Sequence, residues 1–383
     1  MATDQTSTVG TGKEYTTVVA WNSGEQRNLV SLDETETAIV DAGEYLDGLY
    51  LDGWTTDLTH YATVRAAVGS EHNGVRRSQG GSGTGVLLGD LNLYQTYSRV
   101  YDIEAYKDNF SSAVRFANTG MTLERCMVFA TNLTSFGALR IAYSGHTVRN
   151  CLIVNESAAY DAVTSLSGGD YESCTAINTI SSGYCFGCEF TSQTVCSDIV
   201  TTSPSGTQWQ WLGTPQSNDT NNASSDGSHG GADGVTITTA DYVDYANGDY
   251  RAKSGGLLDG AGANLSGTFT DDITNYIRPA VDPWTIGAYE VQGAPAGAVL
   301  DTPTIANLAQ TTATIGCSTD TAGGTLYWYV STSATPPSPA DLKAGTGAVD
   351  FNNLVPTSGA NTAGATGLTA NTQYYHYWIQ ETA

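Results

Sequence analysis

Leu123-Glu-Arg-Cys126-Met-Val128-Phe129, Val148-Arg-Asn-Cys151-Leu-Ile153-Val154 and Tyr171-Glu-Ser-Cys174-Thr-Ala176-Ile177 are three copies of one pattern. Each runs from an apolar or aromatic residue through two polar ones to cysteine and a short, mostly apolar run. The cysteines stand 25 and 23 residues apart. A period of that length, built from short β segments and polar turns, is one coil of a β-solenoid. Stacked coils sit at the ~4.8 Å spacing of paired strands, so equivalent residues form columns. Working outward, Tyr101 stands at the cysteine position one coil earlier and Cys196 one coil later, with Asp198 breaking the pattern. Asn155 and Asn178 each follow their cysteine by four residues and are expected to form a ladder at a turn. A leucine-rich horseshoe needs a leucine-spaced consensus that is absent.

The composition agrees. Gly supplies 43 of 383 residues and charged residues only 14%, where globular averages are about 7% and 25%. Such a chain suits turn-rich β structure better than long helices. Seven cysteines, an odd number spread over a long chain, do not read as a disulfide framework and are expected to be reduced and mostly buried. The net charge of −24 repels phosphate backbones and anionic headgroups, which argues against nucleic-acid binding and membrane attachment. No apolar run is long enough to span a bilayer. Met1-Ala-Thr-Asp-Gln-Thr lacks the charged and apolar regions of a signal peptide, so an extracellular role implies exit by another route, such as particle assembly followed by lysis.

Residues 1–292 are read as the solenoid, with a Ser/Asn/Asp/Gly-rich excursion at about 203–234. Residues 293–300 read as a linker and 301–383 as a small β-sandwich. Its strand candidates are Thr314-Ile-Gly-Cys317-Ser and Thr325-Leu-Tyr-Trp328-Tyr-Val. Ser338-Pro339-Ala-Asp-Leu-Lys343 predicts a short helix, with serine as N-cap and proline at the first position.

The last ~85 residues resemble a fibronectin type III domain, with Trp328 as its core tryptophan and Leu368 to Tyr374 as its tyrosine corner. The resemblance implies a seventh strand, supplied by a continuation of the chain or by another molecule. Asp249-Tyr250-Arg251, Ser254-Gly255, Leu258-Asp259, Arg278-Pro279 and Ile286-Gly287-Ala288-Tyr289-Glu290 resemble the closing segment of right-handed parallel β-helix proteins. Val9 to Trp21 resembles their opening cap. Together these imply an all-β fold, a right-handed parallel β-helix followed by an immunoglobulin-like sandwich. The combination resembles tail fibres, spikes or decoration proteins of tailed bacteriophages. That implies a structural virion protein whose rigid helix recognises a host surface or glycan. Its partners would be other virion proteins and host polysaccharide, and it would associate as a homo-oligomer, with a trimer as one form. The same helix serves polysaccharide lyases and glycoside hydrolases, which is the alternative.

Motifs for other chemistry fail. Gly10-Thr-Gly-Lys13 departs from a phosphate-binding loop at Ser7 and Glu14, and Gly80 to Gly85 departs from the dinucleotide fingerprint at Val86. Cys185-Phe-Gly-Cys188 has no second pair to complete a zinc site. The five histidines are scattered singly, so no metal or cofactor is expected. Asp219 to Asp233 offers loop oxygens to Ca²⁺ but matches no known calcium spacing. For glycan cleavage, which needs two carboxylates, the candidates are Asp161, Asp170 and Glu172 on adjacent coils. The 15 bases look too scattered to form the cationic cluster that cleavage of an acidic polysaccharide wants. For sugar stacking the candidates are Trp209 and Trp211, which share a side if that stretch is extended; anchoring the excursion to the helix is the competing role.

Overall fold

A computed structural model of the protein describes residues 2–74, 76, 85–157, 160–166, 168–179, 184–188, 195–204, 208–211, 219–229, 233–281, 283–292, 300–319 and 322–381. Contacts divide the chain into two compact units, Met1–Val291 and Gln292–Ala383. The linker expected at 293–300 falls, apart from its last residue, outside the described residues.

The first unit is all-β and coils through three long parallel sheets, with eight, nine and seven strands among the described residues. Each coil visits the first sheet, then the second, then the third. One coil runs Thr122–Glu124, Met127–Leu133 and Leu139–Ile141; the next runs His146–Arg149, Leu152–Asn155 and Val163–Ser165. Neighbouring coils pair in register, as in Leu123↔Val148 and Val148↔Tyr171. Those residues point inward and are buried, while their neighbours Glu124, Arg149 and Glu172 point outward.

The corner between the first and second sheets explains the repeat. Asp102, Arg125, Asn150, Ser173, Asp198 and Asn221 stand there one per coil, all with left-handed backbone, φ between 48° and 62°. A single residue in that conformation turns the chain sharply, and Asn and Asp tolerate it best after Gly. Ile103, Cys126, Cys151, Cys174 and Ile199 follow directly and fill one core column. The sequence-based alignment therefore needs correcting at both ends. Tyr101 pairs with Glu124 on the outer face, and Ile103 holds the cysteine position. Cys196 pairs with Tyr171, and Ile199 holds that position. The three aligned cysteines are buried and unbridged; their thiols lie against backbone carbonyls, as Cys151 Sγ does against Arg149 O at 3.1 Å. Burial pushes the Cys151 thiol well up, away from thiolate chemistry. Asn155 and Asn178 do pair, but both side-chain amides donate to the Tyr160 carbonyl rather than to each other.

The expected excursion at about 203–234 is, in its described parts, further coil. Trp209–Trp211 pairs with Phe186–Cys188 on the third sheet, and Ala223–Ser224 with Val200–Thr202 on the second. Polar residues hold this coil: Asn222 accepts from Ile199 N at 2.9 Å and donates to Cys196 O at 2.9 Å. Asp219 is buried and accepts from Cys196 N at 2.8 Å, while Asp226 accepts from Gln208 N and Ser228 N. These acids serve backbone donors of the coil.

At the N-terminal end, helix Val18–Glu25 is capped by Thr17 and buries Trp21, which packs against Trp54 with ring centroids 5.5 Å apart. At the other end, Val235–Thr236 adds the last strand to the second sheet, and residues 237–281 and 283–291 fold back along its outside. Ile237, Tyr242, Leu258, Ile273, Ile286 and Tyr289 pack on Met127, Phe129, Leu152, Val154, Ile177 and Val200. Gly287 comes so close that a Cβ there would lie 2.8 Å from Thr175 Oγ1 and 2.9 Å from Val200 Cγ2, and its φ of 105° also favours glycine. The corner residues clip the wrap down: Asn150 donates to Asp271 O, Asp198 accepts from Ala263 N, and Asn221 donates to Ala261 O. Buried Arg278 completes the clasp, pairing with Glu290 at 2.8 Å and donating to Asn150 Oδ1 at 3.1 Å.

Among the described residues the second unit has two three-stranded antiparallel sheets. One orders Leu300–Ala306, Ala313–Thr319 and Gly359–Ala365; the other orders Asp350–Leu354, Thr325–Ser331 and Tyr375–Glu381. Ile315, Trp328, Val330 and Ala365 form their shared core. Helix Pro339–Ala344 forms as its sequence predicts, with Ser338 Oγ accepting from Asp341 N.

Candidate functional site

The wrap covers the second sheet; among the described residues it leaves the outer faces of the first and third sheets uncovered. On the third, every second residue of each strand points out. Tyr50 pairs with Asn92, Asn92 with Arg115, Arg115 with Arg140, and Arg140 with Thr164. Their strand neighbours Leu49, Leu51, Leu91, Leu93, Val114, Phe116, Leu139 and Ile141 are buried, which fixes the register of the face. Aromatic rings flank the column. Tyr50 and Tyr94 are exposed and stack at 6.2 Å with planes 10° apart. Arg115 donates to the Tyr94 hydroxyl at 2.9 Å, and Arg140 lies 3.4 Å from the centre of the exposed Phe136 ring. Directly opposed like charges repel across a sheet; Arg115 faces Arg140, each set over an aromatic ring.

On the first sheet, one outward column runs Ile39, Arg65, Tyr101, Glu124, Arg149, Glu172 and Ser197. The other runs Thr37, Thr63, Arg99, Thr122, Thr147 and Asp170. Arg149 sits between Glu124 at 3.7 Å and Glu172 at 2.9 Å. Burial pushes Glu124 and Glu172 up from the ordinary carboxylate range, and their arginines oppose that. Asp170 is also raised by partial burial, with Arg149 again opposing. At the N-terminal end of this face lies a groove of about 370 Å³ lined by Tyr61, Tyr101, Arg65, Arg99 and a row of threonines.

The sequence candidates divide. Asp170 and Glu172 share this face, two residues apart on strand Gly169–Glu172. Asp161 does not join them: it precedes the third-sheet strand Val163–Ser165, accepting from Tyr184 N at 2.9 Å and Thr164 Oγ1 at 3.2 Å. Residues nine apart in a closed coil fall on different sides of it, so adjacency in sequence does not make one site. Trp209 is 2% exposed and stacks on Phe186 at 4.9 Å, so its ring fills the core instead of meeting a sugar. The side chain of Trp211, like that of Cys188, lies outside the described residues. The apparent scatter of the bases is also overturned. Arg65, Arg99, Arg125 and Arg149 come from successive coils at or beside the first-sheet face, and Arg115 and Arg140 are direct neighbours on the third. Their spacings of 24 to 34 residues are coil lengths, which stacking converts into contact.

Compared with known proteins, the chain matches no family model and no curated protein sequence.

Proposed function

We propose that this protein is a structural surface component of a tailed-phage particle, a tail fibre, spike or decoration protein whose rigid helix displays a glycan-recognition face. The observation that carries the reading is the third-sheet platform, where Tyr50, Tyr94 and Phe136 are exposed beside Arg115 and Arg140 on stacked coils. Aromatic faces pack against the apolar C–H faces of sugars, and arginines fork onto sugar oxygens or acidic groups. A solenoid holds such groups at fixed spacing, which lowers the ordering cost of binding. On this reading the helix is right-handed and the second unit is a fibronectin type III-like sandwich serving as spacer or assembly module. Two details favour that assignment: Trp328 is a core residue, and Thr369 N donates to the Tyr374 hydroxyl at 2.9 Å just before the last strand.

The test has two parts. Antibody labelling of purified particles should place the chain on a symmetric appendage; its absence from particles would sink the structural reading. Binding of host-surface polysaccharide to the isolated protein should weaken about tenfold or more in Tyr94→Ala, from loss of one stacking contact. Unchanged binding would remove the platform from the argument.

Cleavage of that glycan is a second reading, favoured by Asp170 and Glu172 sharing one face with both carboxyls raised. Strand geometry sets alternate residues about 6.5–7 Å apart, near the separation used for inverting hydrolysis. New reducing ends from the wild type but not from Asp170→Asn or Glu172→Gln would establish it. No new ends from the wild type would discard it.

A further inference from the structure

We propose that the groove on the outer face of the first sheet binds a carboxylate-bearing sugar residue, gripped between Arg65 and Arg99. The inference rests on the reading of the protein as a glycan binder and assigns it a second, anion-selective subsite. Arg99 pairs with Thr63 and Arg65 with Tyr101, so the two arginines are diagonal neighbours on adjacent coils. Diagonal positions lie about 7–8 Å apart, within reach of one carboxylate for two long side chains.

The pair lacks acid partners among the described residues, as Arg115 does on the third sheet. Arg27, Arg76, Arg125, Arg149, Arg251 and Arg278 each hold a carboxylate within 3.0 Å. Among the described residues neither Arg65 nor Arg99 has one, in a chain with 39 acids to 15 bases. The Arg99 guanidinium lies 3.5 Å from the centre of the Tyr61 ring, which sets its plane. A flat, oriented guanidinium presents two parallel N–H donors, the geometry that suits a carboxylate. Apart from Asp4 and Arg125, the remaining lining is neutral and hydroxyl-rich: Thr6, Thr37 and Thr63 face the same space, with Tyr101 across from Arg65. Asp4, at the groove's far side, takes the Thr35 hydroxyl at 2.5 Å and remains an acceptor for sugar hydroxyls. Arg125 borders the groove but is already committed to Asp102, Glu124 and Asp271. The volume, about 370 Å³, is at the small end for ligand pockets and suits one or two sugar rings.

The experiment uses the full chain at 0.15 M salt, where a Debye length of ~8 Å mutes the distant negative charge. Hexamers of galacturonate, of mannuronate and of hyaluronan are each compared by calorimetry with their carboxyl-reduced counterparts. At least one acid form should bind tenfold or more tightly than its reduced form. Arg65→Ala and Arg99→Ala should each abolish that preference, while Arg65→Lys, keeping charge without the fork, should retain part of it. Both side chains leave the outer face, so the thermal midpoint should stay in place and separate lost binding from lost fold. No preference for any acid form, or full preference in both alanine variants, overturns the proposal. Inorganic phosphate or acetate binding as tightly as the hexamers overturns the sugar assignment. If the Tyr94→Ala variant still prefers the acid form, this subsite stands even where the platform fails.

Discussion

Replacing Arg278 by methionine should detach the wrap that covers the second sheet. The guanidinium is fully buried and donates to Glu290 Oε2 at 2.8 Å, Gly287 O at 2.9 Å, Asn150 Oδ1 at 3.1 Å, and the Asp271 and Thr285 carbonyls at 3.2 Å. Methionine fills similar length but donates nothing. Glu290 would keep Thr285 N and Oγ1, at 3.0 and 3.1 Å, and lose its counter-charge. Breaking a buried ion pair from one side costs about 3–5 kcal/mol, and the orphaned carbonyls fall within that figure because such losses do not add. The penalty falls on the wrap, whose Gly287 N donates to Asp198 O and Ala288 N to Thr175 Oγ1. Hydrogen exchange at those amides should therefore speed up a hundredfold or more, since 1.36 kcal/mol is tenfold. Trypsin should begin to cut after the exposed Arg251 and Lys253 as the wrap lifts. The double variant Arg278→Met, Glu290→Gln should recover part of the loss, because it removes both buried charges. Less than fivefold faster exchange in the single variant, or a double variant worse than the single, would refute the clasp. It would also reopen the second sheet as a functional face.

Two further outcomes follow from the core. His146 is buried against Phe116, and desolvation lowers its pKa from 6.5 to about 4, with the Tyr143 carbonyl opposing only in part. Neutral in the fold and charged in the unfolded chain, it takes up more protons on unfolding between pH 6.5 and 4. Its contribution is thus present above 6.5 and lost as pH falls, at up to ~1.4 kcal/mol per unit and about 3 kcal/mol in all. Urea midpoints should drop from pH 7 to pH 5 in the wild type and drop less in His146→Leu; parallel curves would exclude this residue. Asn222→Ala should cost about 2–3 kcal/mol, because Ile199 N and Cys196 O lose their buried partner. A thermal midpoint within a degree of wild type would mean that the side chain is not the bridge of that coil.

How much of this was legible follows from what sets each feature. The period was readable because Cys126, Cys151 and Cys174 repeat a residue type at an equivalent core position. Extending it by matching cysteine to cysteine misplaced Cys196, since the core accepts any residue of suitable size there. The firmer marker is the left-handed corner, where Asp102, Asn150, Asp198 and Asn221 recur for a backbone reason; Arg125 and Ser173 obscured that series. The wrap has no periodicity to read, and only its resemblance to known closing segments pointed to it. Trp209 shows the limit of parity arguments. Trp209 does lie in a strand, but register against Phe186 decides which side its ring faces, and a shift of one residue reverses it.

The proposed binding faces were hidden for a related reason. In a solenoid the distance that matters is measured modulo the coil, so Arg115 and Arg140, 25 residues apart, meet across one strand spacing. Asp161 and Asp170, only nine apart, part to different sides. Composition misleads in the same way: a net charge of −24 describes the far field and says little about a groove where Arg65 and Arg99 are paired with no carboxylate among the described residues. Binding is decided over a few ångströms, within the Debye length, where local placement outweighs the total. A protein can thus remain strongly acidic, which keeps crowded copies apart, while holding cationic strips on the two faces its wrap leaves open.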